Sequence, residues 1–183
     1  MLDKISAKIA NNWIEKKIID INDKEIYEYG IILTMEYLLS LITTALIAVF
    51  TGEAVASVTF YTGFKYLRSY TGGIHAKTFA KCYVSSSLII LISVLFIKYN
   101  IISIVVYRMC GLPAIIYLVN ITPIDCENKR VSKEEKRRFC VHKNKVVAVI
   151  CFIIVLAGLC DISIIEKSLE AVVIIVSLCC IFA

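Results

Sequence analysis

His75 and Cys82 are the two residues of this chain whose types and spacing suit covalent chemistry. They lie in the run Gly72-Gly73-Ile74-His75-Ala76-Lys77-Thr78-Phe79-Ala80-Lys81-Cys82, between strongly apolar segments. An imidazole beside a cysteine raises the fraction of thiolate, the form that attacks a peptide carbonyl. The spacing sets a geometric condition. On one straight α-helix the pair would share a face but stand ~10.5 Å apart along the axis, beyond the ~3 Å of direct proton transfer. The Gly72-Gly73 pair offers the remedy: glycine permits backbone angles that turn the chain and fold His75 back toward a cysteine at the start of the next helix.

The elements that must position this pair belong in a membrane. The 183 residues are 59% hydrophobic, with a mean hydropathy of +0.80, more than a soluble domain of this size carries. A helix crosses a bilayer with about 20 apolar residues. Six stretches approach that length: Ile31–Phe50, Ala54–Leu67, Tyr83–Ile97, Ile101–Ile121, Val146–Cys160 and Leu169–Phe182. The expected fold is therefore all-α, a six-helix membrane bundle forming one domain over residues 1–183. The second stretch is short and weakly apolar, so it is expected either to continue through Tyr70 or to be re-entrant. Residues 1–30 read as charged and amphipathic, with no apolar core and cleavage site of a signal peptide. Ile5, Ile9, Trp13, Lys16 and Lys17 fall at helical spacing, as in a helix lying in the headgroup region or packed on the bundle.

Basic residues in short loops stay on the cytoplasmic side, which fixes an orientation. Six crossings that start inside put Lys4, Lys8, Lys16, Lys17 and Lys24 in the cytoplasm. Lys65, Arg68, Lys77 and Lys81 join them, as do Lys129, Arg130, Lys133, Lys136, Arg137, Arg138, Lys143 and Lys145. Of the 20 lysines and arginines, this leaves Lys98, Arg108 and Lys167. Both termini, the 68–82 segment and the basic 122–145 loop then face the cytoplasm. The net charge of +5 is accounted for by topology and contact with membrane lipids, and no nucleic acid is expected as a partner.

Eight cysteines, at 82, 110, 126, 140, 151, 160, 179 and 180, sit mostly in apolar spans or on the reducing face, where they act as small hydrophobic fillers rather than disulfides. Cys126, Cys140 and His142 share the basic loop, but their spacing matches no structural zinc pattern and a fourth ligand is missing. Acylation is open to Cys179 and Cys180, although a plain helix end explains them better. No metal or other cofactor is expected.

Two strings carry a resemblance. Arg68, Gly73, His75 and Cys82, in Arg68-Ser-Tyr-Thr-Gly-Gly-Ile-His-Ala-Lys-Thr-Phe-Ala-Lys-Cys82, resemble the core motif of the AgrB family of quorum-sensing membrane endopeptidases. The string Thr122-Pro-Ile-Asp-Cys-Glu-Asn-Lys-Arg-Val-Ser-Lys-Glu-Glu-Lys-Arg-Arg138 is similar to that family's second cytoplasmic loop, with Pro123, Asp125, Asn128 and Lys129 at matching places. Cys126, and Arg130 where proline is common, depart from the pattern and touch only the loop. The resemblance implies a cysteine endopeptidase of the bacterial cytoplasmic membrane that cuts an AgrD-like precursor peptide after the segment that becomes the signal. It implies Cys82 as nucleophile and His75 as base, then acid. The residues suit a peptidyl thioester on Cys82 that an internal cysteine or serine of the precursor displaces, closing a thiolactone or lactone ring.

Other residues have supporting roles open to them. Arg68 is a candidate anchor for a precursor carboxylate. Gly73 is a conformational residue or an oxyanion donor. Lys77, Lys81 and Lys129 give a positive face for an acidic tail. Glu36 and Asp125 are candidate third members of the site. Glu36 and Arg108 stand inside predicted spans and need partners, each other or elsewhere. Gly111 and Pro113 predict a kink in the fourth span. The rival reading is a small non-catalytic transporter or channel built on Glu36, Arg108 and that break. Six helices are few to enclose both the His/Cys pair and a precursor helix, so a homodimer is expected.

Overall fold

The structure, a computed structural model, describes residues 2–71, 79–122 and 133–182. All regular structure among them is helical. Seven α-helices follow in order: α1 (Leu2–Glu15), α2 (Lys24–Thr51), α3 (Ala54–Thr71), α4 (Phe79–Lys98), α5 (Ile104–Asn120), α6 (Lys133–Leu159) and α7 (Ser163–Ile181). Each of the six predicted apolar stretches has its helix, α2 to α7. The second is a continuous helix from Ala54 to Thr71. The stretches Ile21–Thr51 and Lys136–Leu159 are long and apolar enough to cross a membrane, and Cys82–Lys98 and Ile104–Asn120 are apolar but shorter. Large apolar side chains point outward along them, including Val49, Phe50, Phe152 and Leu159. Such surface is costly in water and ordinary against lipid.

The helix ends follow from local chemistry. Lys17, Gly52, Asn100 and Asp161 take left-handed backbone angles just past α1, α2, α4 and α6. Three of these turns close with an amide bonded five residues back: Ile18 to Trp13 at 2.9 Å, Ile101 to Phe96 at 3.1 Å and Ile162 to Ala157 at 2.8 Å. Orphan carbonyls are thereby satisfied. Asparagine and aspartate tolerate the left-handed region better than other side chains, which suits them to two of these positions.

Two compact units divide the chain, Met1–Thr43 and Thr44–Ala183. In the first, the Trp13 ring on α1 meets Tyr27 on α2 edge-to-face, with centroids 6.2 Å apart. In the second, α7 is the central helix and packs most extensively on α3 and α5, then on α6 and α4. It buries Leu169, Ala171, Val172, Val173 and Val176 against Phe60, Phe64 and Leu67 of α3, Leu118 of α5 and Val147 of α6. Gly63 lets α3 come close. A β-carbon there would stand 3.2 Å from Leu169 Cδ2 and 3.4 Å from Val172 Cγ2.

Cross-helix hydrogen bonds order the bundle's ends. Lys98, the last residue of α4, donates to the Thr51 carbonyl at 2.6 Å, just ahead of α3, so α3 and α4 run antiparallel. Lys167, early in α7, bonds Asn100 Oδ1 at 2.6 Å, between α4 and α5. Lys143 of α6 donates to the carbonyls of Val119 and Ile121 where α5 stops. One end of the bundle therefore gathers the finish of α3, α5 and α7 with the start of α4. The opposite end gathers the starts of α3, α5 and α7.

Candidate functional site

The first of these ends carries the sequence-predicted chemistry that the structure describes. Arg68 sits in the last turn of α3, its guanidinium over the Phe64 ring at 5.6 Å, a cation–π contact that holds the charge at the helix end. Cys82, a free and half-buried thiol, is the fourth residue of α4. Arg68 and Cys82 thus flank, from two antiparallel helices, the segment that holds His75. Lys81 precedes Cys82 in α4. His75, Gly73, Lys77, Asp125 and Lys129 lie outside the described residues, as does Cys126.

Thr71, the last residue of α3, is fully buried, its hydroxyl donating to the Leu67 carbonyl at 3.1 Å. Cys180 of α7 is hydrogen-bonded to the same Thr71 side chain. Cys180 is therefore a packed helix-end residue, as its apolar setting implied. Tyr70 stacks on His142 of α6, with centroids 5.7 Å apart and planes at 20°, and tilts against Phe139 at 6.4 Å. His142 Nδ1 donates to the Arg138 carbonyl at 2.9 Å. A shallow depression lined by Arg137, Arg138, Val141 and His142 runs along this stretch of α6. The residues Tyr70 and Thr71, immediately before the glycine pair, are thus clamped by α6 and α7.

Sequence reasoning missed two features here. Lys143 was counted among the loop cations, yet its side chain is fully buried within α6. Its ammonium satisfies the Val119 carbonyl at 3.2 Å and that of Ile121, orphan acceptors at the C-terminus of α5, where a positive charge is also favoured by the helix dipole. No signal in the basic segment marks it, since its inward turn depends on where α5 stops. His142 entered the sequence reading only in the zinc set with Cys126 and Cys140 that was set aside there, and Cys126 lies outside the described residues.

Of the two charges inside predicted spans, Arg108 has its partner elsewhere than Glu36, the second of the two options the sequence left open. Its Nε donates to Glu166 Oε1 at 2.6 Å, because α5 and α7 start at the same end and bring the two residues to one depth. Glu36 lies on α2 in the Met1–Thr43 unit, and Ser40 Oγ donates to its main-chain carbonyl at 2.8 Å. A further charge, Glu170, went unnoticed inside the last predicted span; it is buried one turn after Glu166. The fourth span is one helix through Pro113, with Gly111 against Glu170.

No curated protein and no solved structure matches the chain. A family model does, over nearly the whole length: residues 2–183 match that described as accessory gene regulator B, and the chain belongs to the AgrB family.

Proposed function

We propose that this chain is a multi-pass membrane cysteine endopeptidase that removes the C-terminal tail of an AgrD-like precursor and promotes ring closure of the signal peptide. The observation that carries the reading is the family match over residues 2–183, which supports a role in processing the accessory gene regulator peptide. The placement of Cys82 in the first turns of α4, across from Arg68 at the end of α3, agrees with it.

In this mechanism the Cys82 thiolate attacks the scissile carbonyl, with His75 as the base that takes the thiol proton. The tetrahedral adduct collapses with cleavage of the C–N bond, and His75 returns the proton to the leaving amine of the tail. A peptidyl thioester on Cys82 remains. A thiol or hydroxyl within the precursor then attacks that thioester, the C–S bond breaks, and a thiolactone or lactone leaves while Cys82 regains its proton. Exchange between thioesters approximately conserves bond energy, so no nucleotide is needed. Hydrolysis competes, and a site at the membrane interface that limits water and holds the precursor's nucleophile near the thioester favours the ring.

Arg68 and the cations Lys77, Lys81 and Lys129 attract the acidic tail, and Gly73 allows the turn that brings His75 to the thiol. Asp125 and Glu36 are the candidates for orienting His75. The same reading places six spans in the membrane, with both termini and the site in the cytoplasm, and a homodimer as the working form. Mass spectrometry of the cognate precursor co-expressed with wild type or Cys82→Ala at matched membrane levels tests it. Tail release and a product one water lighter than the linear cleaved peptide are expected with wild type only. Equal processing by both would remove Cys82 as nucleophile.

A further inference from the structure

At the end of the bundle away from Cys82, two carboxylates share one cation. Glu166 and Glu170 lie one turn apart on the same face of α7, and both are buried. The Arg108 guanidinium of α5 is engaged by Glu166 at 2.6 Å. Glu170 Oε2 is buried with no hydrogen-bond partner among the described residues. Its stem lies against the bare backbone of α5, where a β-carbon on Gly111 would stand 3.6 Å from Cγ and 3.7 Å from Cδ. The Glu166 carboxylate similarly faces Gly158 of α6, where a β-carbon would stand 3.5 Å from Oε2.

The charged groups acting on Glu170 are Glu166 and Arg108, and Tyr107 of α5 is the titratable group coupled to it. Asp161, at the α6–α7 turn, acts on Arg108. From α3, α4 and α6 no charged group acts on it among the described residues. If both carboxyls were ionised, one guanidinium would leave a net negative charge between packed helices, on an oxygen that no donor reaches. Such an anion is relieved by a bound cation or by a proton. A metal ion needs several oxygen ligands, and among the described residues no group of three or more His, Cys, Asp or Glu is placed to supply them. A proton needs one oxygen.

We infer that Glu170 is a proton-binding site: the folded chain holds its carboxyl in the neutral form while Arg108 neutralises Glu166, and this proton lets α5 pack closely on α7 at Gly111. Release of the proton would set a second carboxylate against Glu166 and loosen the α5–α7 contact. The site is independent of the peptidase reading.

Infrared difference spectroscopy of the full chain in lipid vesicles, wild type minus Glu170→Gln at neutral pH, tests it. The expected result is the C=O stretch of a protonated carboxyl, present in wild type, absent from the variant and unmoved by added sodium. Should the variant fail to fold, loss of the same band on raising the pH of wild type gives the answer. Carboxylate bands in place of the C=O stretch would overturn the inference. So would loss of the stretch on adding sodium at fixed pH, which would assign the site to a metal cation.

Discussion

Where α3, α5 and α7 finish, the buried charge is an ammonium, and main-chain oxygen satisfies it: Lys143 caps the carbonyls of Val119 and Ile121. Where the same helices start, the buried charges among the described residues are carboxylates, and a side chain satisfies one of them: Arg108 holds Glu166 while no described residue pairs with Glu170 Oε2. The difference is instructive. A cation at a helix C-terminus meets acceptors and a dipole that the backbone supplies whatever the neighbouring sequence. The end bearing Arg68 and Cys82 can therefore be stable while the segments leaving it serve chemistry. The opposite end depends on a particular set of side chains at matched depth, which suits it to cohesion and to sensing protons.

Substitutions should separate processing from stability. The largest effect belongs to His75→Gln. In the proposed mechanism His75 is the general base, whose loss costs about 10²–10⁴-fold in rate, so precursor processing should fall by that order while the melting midpoint of the purified protein stays put. An equal fall in both would mean that the residue is structural.

Lys143→Met should do the reverse. It leaves two carbonyls without their donor, at a cost of about 1–3 kcal/mol. The thermal midpoint in detergent should drop, and processing should fall only as far as the folded fraction does. A variant as stable as wild type would break the comparison, since the ammonium would then not be holding α5 to α6.

Gly63 and Gly111 sharpen it further. A methyl on Gly63 meets Leu169 at 3.2 Å, whereas on Gly111 its nearest contact is 3.6 Å. Gly63→Ala should cost about 1–3 kcal/mol through repacking of α3 on α7, and Gly111→Ala should be close to neutral. Denaturation of the two side by side checks the order, and a reversed order would contradict the packing described.

A smaller loss than at Gly63 is expected at Tyr70. Replacing it with leucine removes the stack on His142 and should cost about 0.5–1.5 kcal/mol. If the stack steadies the entry to the 72–78 segment, the variant should also slow processing at unchanged protein level.

Much of the helical plan was legible because apolar length is a strong signal: all six stretches have helices, although α2, α6 and α7 begin well ahead of the apolar stretch, α6 at Lys133 rather than Val146. The pairing of charges was not. Arg108 and Glu36 stood out in apolar surroundings and their partners stayed open, whereas Glu166 reads as part of a turn and Glu170 lies unremarked inside the last stretch. Their spacing of four residues, on the helix that starts beside the arginine, was the readable clue. Lys143 was illegible for another reason. Nothing in a run of lysines and arginines distinguishes the one that turns inward, since that depends on where α5 ends. Arg68 and Cys82 were placed at one end by reading α3 and α4 as an antiparallel pair, and the structure agrees.

The most direct test of the proposed chemistry is the intact mass of the purified protein after reaction with a precursor whose internal nucleophile is replaced by alanine. The account predicts an acyl adduct of the cleaved peptide on Cys82, removed by hydroxylamine and absent from Cys82→Ala. Tail release by Cys82→Ala at the wild-type rate, with no adduct on either form, would contradict it.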